Sequence, residues 1–307
     1  MGKYIDIISR TDWGHRYGTG WSFRNLPAEH VIIHHSVTVA PAPGASFEQD
    51  AAAVRLLDQI GYERFRYADY DKNGRLIWPR PSGAGISYTW AIPKSGRVFE
   101  GHDVRRFSSH TAGYNDTGVG IVFIGNYEND TLTDTQIDSA ARTVLQAKED
   151  GVVKHARVDF RHSDVYATAC PGKNAMSARD RINARIQEIL VEEENDMRDR
   201  ELERKINEAR LSGSSRWETA RAVFEADLPA GRGILIAADG SPDERYATAR
   251  AGGDVKYLPV RANNDSPPGA TTTAIRAYRP QWIRVAGGPT VVTDNCVQSL
   301  LAAANLI

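Results

Sequence analysis

Five side chains within residues 1–190 could do chemistry together. They are His34 and His35 in VIIHHSVT, Tyr88 in GISYTWAIPKSGRVFEG, His162 in RHSDVYATACPG, and Cys170, which precedes Pro171 and Gly172. Imidazole nitrogens and a thiolate are donors that suit Zn2+. A catalytic zinc takes three protein ligands and keeps a fourth position for water, whose pKa it lowers to about 7; it also polarises a carbonyl as a Lewis acid. His34, His162 and Cys170 supply three such donors without Cys296. Their spacing is not that of a short zinc-finger pair, so spacing alone is a weak signal. A single histidine on a strand is more often structural than a ligand, and a single cysteine is more often a small buried apolar group.

The elements that must position these residues follow from periodicity. VIIHH (31–35), SYTWAIP (87–93) and GVGIVFIGN (118–126) are short, β-branched and aromatic runs between turn residues, which predicts strands. Ser46 to Gln49 is a capping-box pattern before Val54, Leu57 and Ile60, with Gly61 as the expected stop. Thr133 to Gln136 and Ser177 to Asp180 repeat the signal before further apolar stripes. Strands mixed with helices predict an α/β domain with a central sheet. Residues 62–86 fit neither period and are expected to form a long loop. Residues 191–211 hold 8 acidic and 5 basic residues with almost no bulky apolar face, which predicts a solvated, ion-paired helical linker. Beyond it, helix and strand patterns alternate: helix 215–226, strand 233–237, helix 242–251, strand 255–260, helix 271–277, strand 282–285 and helix 294–304. That order predicts a smaller three-layer α/β domain with about three parallel strands.

Composition narrows the classes further. The 307 residues are enough for two domains, and 41% hydrophobic with 25% charged residues is globular rather than disordered. A net charge of −1 argues against a nucleic-acid partner bound through bulk charge. No uncharged apolar run reaches transmembrane length. The opening MGKYIDIISRTDWG lacks the apolar core and cleavage site of a secretory signal. Two distant cysteines exclude a disulfide framework.

Residues 10–175 resemble the zinc amidases that include phage amidase endolysins and animal peptidoglycan-recognition proteins. The resemblance rests on RTDWG (10–14), VIIHHSVT (31–38), ISYTWAIPKSGRVFEG (86–101), SSHTAGYNDTGVGIVFIGNY (108–127) and RHSDVYATACPG (161–172), in the family's order. It implies a mixed central sheet with flanking helices and hydrolysis of the amide between N-acetylmuramic acid and L-alanine in peptidoglycan. Zn2+ would be held by His34, His162 and Cys170. Tyr88 matches the tyrosine that hydrogen-bonds near the zinc water and the scissile carbonyl, and Thr168 stands where members carry Lys or Thr. His35 is expected beside the ligand or in the groove, and His110 and Asn126 align with substrate-binding groove-edge positions. Each has a plainer reading: Tyr88 as a core aromatic, Thr168 as a turn hydroxyl, His110 and Asn126 as polar residues at strand ends. The recycling branch of the family carries a glutamate where Val122 stands, so deprotonation of the water would rest on zinc and Tyr88.

Residues 212–300 resemble the cell-wall-binding repeat of Gram-positive surface proteins, through SGSSRWETARAV (212–223), SPDERYATARAGG (241–253), VKYLPV (255–260) and YRPQWIRVAGGPTVVTDNCVQSL (278–300). Trp217 replaces the repeat's usual tyrosine, and one copy stands where three are usual, which leaves two options: one copy suffices, or subunits assemble to supply the others, with self-association the favoured expectation. Arg216 and Arg245 could pair with an anionic wall polymer, but a role inside the fold is the favoured expectation. The whole chain then reads as an endolysin: amidase (1–190), charged linker (191–211) and wall-binding module (212–307). It would be stored in the host cytoplasm until lysis and would act on peptidoglycan and wall polymer. The alternatives are a host remodelling or recycling amidase, and a peptidoglycan-binding protein without catalysis.

Overall fold

A computed structural model describes residues 5–19, 22–66, 69–70, 73, 76–78, 84–211 and 229–307. They fall into two units, Met1–Glu193 and Glu194–Ile307. In the first, strand β1 (Ile7–Ile8) leads into the single-turn helix α1 (Arg10–Trp13), capped by Ser9 and ended by Gly14 at φ 72°. That left-handed conformation carries no penalty for glycine. Strand β2 (His30–His35) follows, then helix α2 (Phe47–Phe65), which opens on the Ser46–Gln49 capping box. Next come β3 (Asp69–Tyr70), β4 (Leu76–Trp78), β5 (Trp90–Ile92), β6 (Val98–Glu100) and β7 (Gly118–Phe123). Helix α3 (Asp134–Glu149) opens on the Thr133–Gln136 box, and β8 (Phe160–Arg161), α4 (His162–Val165) and α5 (Ala178–Ala209) complete the series.

Six strands form one sheet in the order β1-β6-β5-β7-β2-β8. Only β5 and β6 pair antiparallel in it, so the sheet is mixed, as the resemblance implies. The central strands are apolar on both faces because helices cover both. Ile33, Ile121 and Phe123 pack with Val144 of α3 and with Ile182, Ile186 and Ile189 of α5. Ala91 and Val122 pack the other way, against Val54 and Leu57 of α2. Each isoleucine buried in this way contributes about 1.5–3 kcal/mol.

Two expectations are corrected here. Helix α2 does not stop at Gly61 but runs on to Phe65. A Cβ at Gly61 would lie 1.9 Å from the Gly85 carbonyl oxygen, so the glycine permits close approach of the chain at residues 85–86 rather than ending the helix. Residues 62–86 are therefore not one loop: they include the end of α2 and the antiparallel pair β3–β4. The helix begun at Ala178 and the charged stretch beyond it are one 32-residue element, laced by pairs such as Arg200–Asp196 and Arg204–Glu201.

The second unit contains β9 (Arg210–Leu211), β10 (Gly233–Ala238), α6 (Pro242–Arg250), β11 (Val255–Val260), α7 (Gly269–Tyr278), β12 (Trp282–Ala286) and α8 (Asp294–Ala303). All its strand pairs are parallel, in the order β11-β10-β12-β9. Among the described residues the sheet has four strands rather than three, because Arg210 and Leu211, read as the end of the linker helix, pair with Val285 and Ala286. Alternation along β10 makes three layers. Ile234 and Ile236 meet Ile275 of α7 and Leu300 of α8, while Leu235 and Ala237 meet Ala247 of α6. Arg245 is exposed on α6, not inside the fold. The expected helix at 215–226, with Arg216 and Trp217, lies outside the described residues.

Candidate metal centre

Strand alternation separates the two adjacent histidines. His34 pairs with Val122, which pairs in turn with Ala91, so His34 lies on the sheet face that α2 covers. His35 pairs with Phe123 and points to the opposite face, where its Nδ1 accepts the Tyr127 N–H at 3.3 Å. His35 still serves the site through its backbone, whose N–H donates to the Cys170 Sγ at 3.4 Å.

His162 is delivered by β8, which pairs with β2 through Ile32 and Ile33 and ends at the first residue of α4. Its ring centroid lies 4.6 Å from that of His34. Cys170 sits in the turn after α4, where its carbonyl accepts the Ser163 N–H at 2.9 Å and its N–H donates to the Thr168 hydroxyl at 3.2 Å. The His34 Nδ1 and the Cys170 Sγ are 3.7 Å apart, and the ligand atoms of His34, His162 and Cys170 all lie within 4.8 Å of one another. A tetrahedral zinc with ordinary bond lengths holds a nitrogen and a sulfur about 3.5 Å apart, so this donor set fits the ion.

The electrostatics agree with the donor chemistry. Burial, reinforced by His110 and His162, holds His34 well below its ordinary pKa. Burial also lowers His162, helped by the Arg64 charge. Both shifts favour the neutral ring that a metal ligand must present. Burial pushes the Cys170 thiol up to about 11 against the His35 N–H, so a bound cation would have to displace its proton.

The site opens into a cleft of about 310 Å3 whose walls include Leu57, Ile60, Arg64, Tyr88, His162 and Tyr166. Tyr88 stands with its ring centroid 5.1 Å from that of His34. Burial, and then the nearby Cys170, raise its phenol above the ordinary value, so it remains an O–H donor. His110 is buried with both ring nitrogens engaged. Thr168 holds the cysteine turn. Asn126 shapes its own loop, its side-chain oxygen accepting the Glu128 N–H at 3.2 Å and its backbone N–H donating to the Asp130 carboxylate. Val122 is fully buried in the core beneath the site.

Sequence reading missed two parts of the wall. Leu57, Ile60, Gly61 and Arg64 line the cleft at helical spacing, a stripe hidden by ending the helix at Gly61. Tyr166 stacks on His162, with centroids 5.6 Å apart and planes at 24°, and nothing in its sequence context marks it.

Residues 24–173 match the family described as N-acetylmuramoyl-L-alanine amidase. Peptidoglycan-recognition protein SC2 of Drosophila melanogaster is 29% identical over 170 residues, covering 55% of this chain and 82% of that protein. Peptidoglycan-recognition protein 1 of Holotrichia diomphalia is 28% identical over 168 residues, covering 54% and 75%. Among solved structures, wild-type Drosophila PGRP-LB is 26% identical and covers 59% of this chain and 92% of its own, with a TM-score of 0.46.

Proposed function

We propose that this chain, with an amidase-family domain at residues 24–173, is a zinc-dependent N-acetylmuramoyl-L-alanine amidase. It acts as an endolysin: the first unit cleaves the bond between N-acetylmuramic acid and L-alanine, and residues 212–307 hold the protein on a Gram-positive-type wall polymer and on further copies of itself. The observation that carries the catalytic reading is the convergence of His34, His162 and Cys170 at a cleft that also presents the Tyr88 phenol.

Zinc bound by these three residues would supply a water with pKa near 7 and a Lewis acid for the carbonyl. The chain's own residues do the rest. Leu57 and Ile60 give the cleft an apolar strip on the α2 side. Tyr88, kept protonated by burial, donates its O–H to the carbonyl oxygen as negative charge develops there, the role of an oxyanion donor. Thr168 accepts the Cys170 N–H and so holds the cysteine turn in place, while its own O–H stays available as a second donor.

The test uses full-length protein on Gram-positive sacculi, measuring new N-terminal alanine and new reducing sugar with and without a strong zinc chelator. Alanine release that chelation abolishes and zinc restores, without reducing sugar, is the expected outcome. A second reading, peptidoglycan recognition without cleavage, draws support from the relatives, which are named as recognition proteins. Tight sacculus binding with no alanine release from several wall types would establish it instead.

A further inference from the structure

Resting on the zinc reading above, we infer that His110 and Thr111 are positioning residues that lock His34 in the tautomer protonated on Nε2, leaving Nδ1 bare for the metal. The argument starts at the Gly118 carbonyl, which can only accept. The Arg24 guanidinium donates to it, and the His110 Nε2 lies 3.2 Å away. That nitrogen therefore carries the His110 proton. The ring is buried beside the Arg24 guanidinium, which shares the same carbonyl and disfavours a second positive charge, so the neutral ring presents a lone pair at the His110 Nδ1.

This lone pair faces two groups: the Thr111 Oγ1 at 2.9 Å and the His34 Nε2 at 3.1 Å, which are themselves 3.3 Å apart. If His34 carried its proton on Nδ1, two bare ring nitrogens would confront each other with one hydroxyl proton between them. The Nδ1 proton would also point toward the Cys170 Sγ, 3.7 Å away. With the proton on Nε2, His34 becomes a second donor to this group and its Nδ1 faces the thiol unprotonated. The order of donation runs from His34, directly or through Thr111, to His110 and on to the Gly118 carbonyl.

The fold holds this arrangement in two ways. Gly120 lies under the His110 ring, where a Cβ would sit 3.0 Å from the ring's Cγ, so the imidazole rests against bare strand backbone. The Asn115 side-chain oxygen accepts the N–H groups of both His110, at 3.0 Å, and Thr111, at 2.7 Å. Both ring nitrogens are engaged within the protein while the residue also lines the cleft, so His110 supports the ligand from the groove wall.

The test combines two measurements on full-length protein. In metal-free wild type, 15N NMR of the histidine rings should find His34 protonated on Nε2. Zinc affinity, by competition with a chromogenic chelator, should fall about 10–100-fold in His110→Ala. It should stay within about threefold in His110→Asn, whose side-chain oxygen can take the place of the Nδ1 lone pair. Wild-type His34 protonated on Nδ1, or a His110→Ala protein that binds zinc as tightly as wild type, would overturn the inference. The tautomer measurement needs no variant, so a misfolded His110→Ala does not weaken the test. Neither readout uses substrate: a protein that shows the expected tautomer and zinc affinities but releases no alanine would sink the amidase reading alone.

Discussion

Cys170 and Tyr88 separate two jobs at the level of single residues, holding the ion and stabilising charge. In Cys170→Ser a hydroxyl replaces the one soft donor, and a serine oxygen at neutral pH is not an anionic ligand. The variant should purify with less than about a tenth of the wild-type zinc content and lose alanine release with it, by elemental analysis and the sacculus assay. Tyr88→Phe removes a donor that touches no ligand atom. It should keep its zinc while kcat falls about 100-fold and KM changes little, which steady-state kinetics on a soluble muramyl peptide would read. An equal loss of zinc in both variants would place Tyr88 in the metal's support instead. The sequence displayed this much because histidine, cysteine and tyrosine are chemically conspicuous in a flanking context of strands and turns. It did not display the role of His110, since the partners of each ring nitrogen are fixed by Gly118 and Thr111 in three dimensions.

At the level of elements, the legible features were those set by local rules, and the missed ones were set by distant partners. The Ser46 and Thr133 capping boxes and the apolar runs of β2 and β7 appear where their patterns place them. The end of α2 does not, because the need for glycine at position 61 comes from Gly85. Gly61→Ala therefore pits helix propensity, which favours alanine by about 1 kcal/mol, against a backbone clash. The clash should win, with a net loss of about 1–3 kcal/mol in chemical denaturation and a weakened activity, since residues 85–86 lead directly to Tyr88. A neutral or stabilising result would mean that this approach is looser than described. Acid acts on the same segment through His102, buried, whose Nδ1 donates to the Ile86 carbonyl at 3.1 Å. Burial pushes its pKa down to about 4, so the folded state favours the neutral ring. The unfolded chain binds more protons below the ordinary histidine value, and this share of stability is complete above about pH 6.5 and declines as pH falls toward 4, by up to about 3 kcal/mol. His102→Asn keeps the donor without titrating, so metal-free variant and wild type should lose stability at different rates across that window. Parallel pH–stability curves would exclude His102 as the source.

For the molecule as a whole, the four hydrophobic clusters each draw their described residues from a single unit, two from Met1–Glu193 and two from Glu194–Ile307. A ligand that binds one unit should then stabilise that unit against unfolding and leave the other's transition unchanged. Zinc at 100 times its dissociation constant contributes about 2.7 kcal/mol to whichever folded state holds it. In a unit of this size each kcal/mol moves Tm by about 2–4 °C. Scanning calorimetry of the full chain should therefore show two transitions, with added zinc moving one of them up by about 5–10 °C and Cys170→Ser abolishing that movement. The same variant separates wall targeting from cleavage. If the second unit holds the wall, the Cys170→Ser protein should still sediment with sacculi as wild type does, and salt should weaken that binding where exposed arginines such as Arg245 contribute to it. Loss of sedimentation together with zinc would instead assign wall affinity to the cleft of the first unit, leaving the four-stranded parallel sheet without a targeting role.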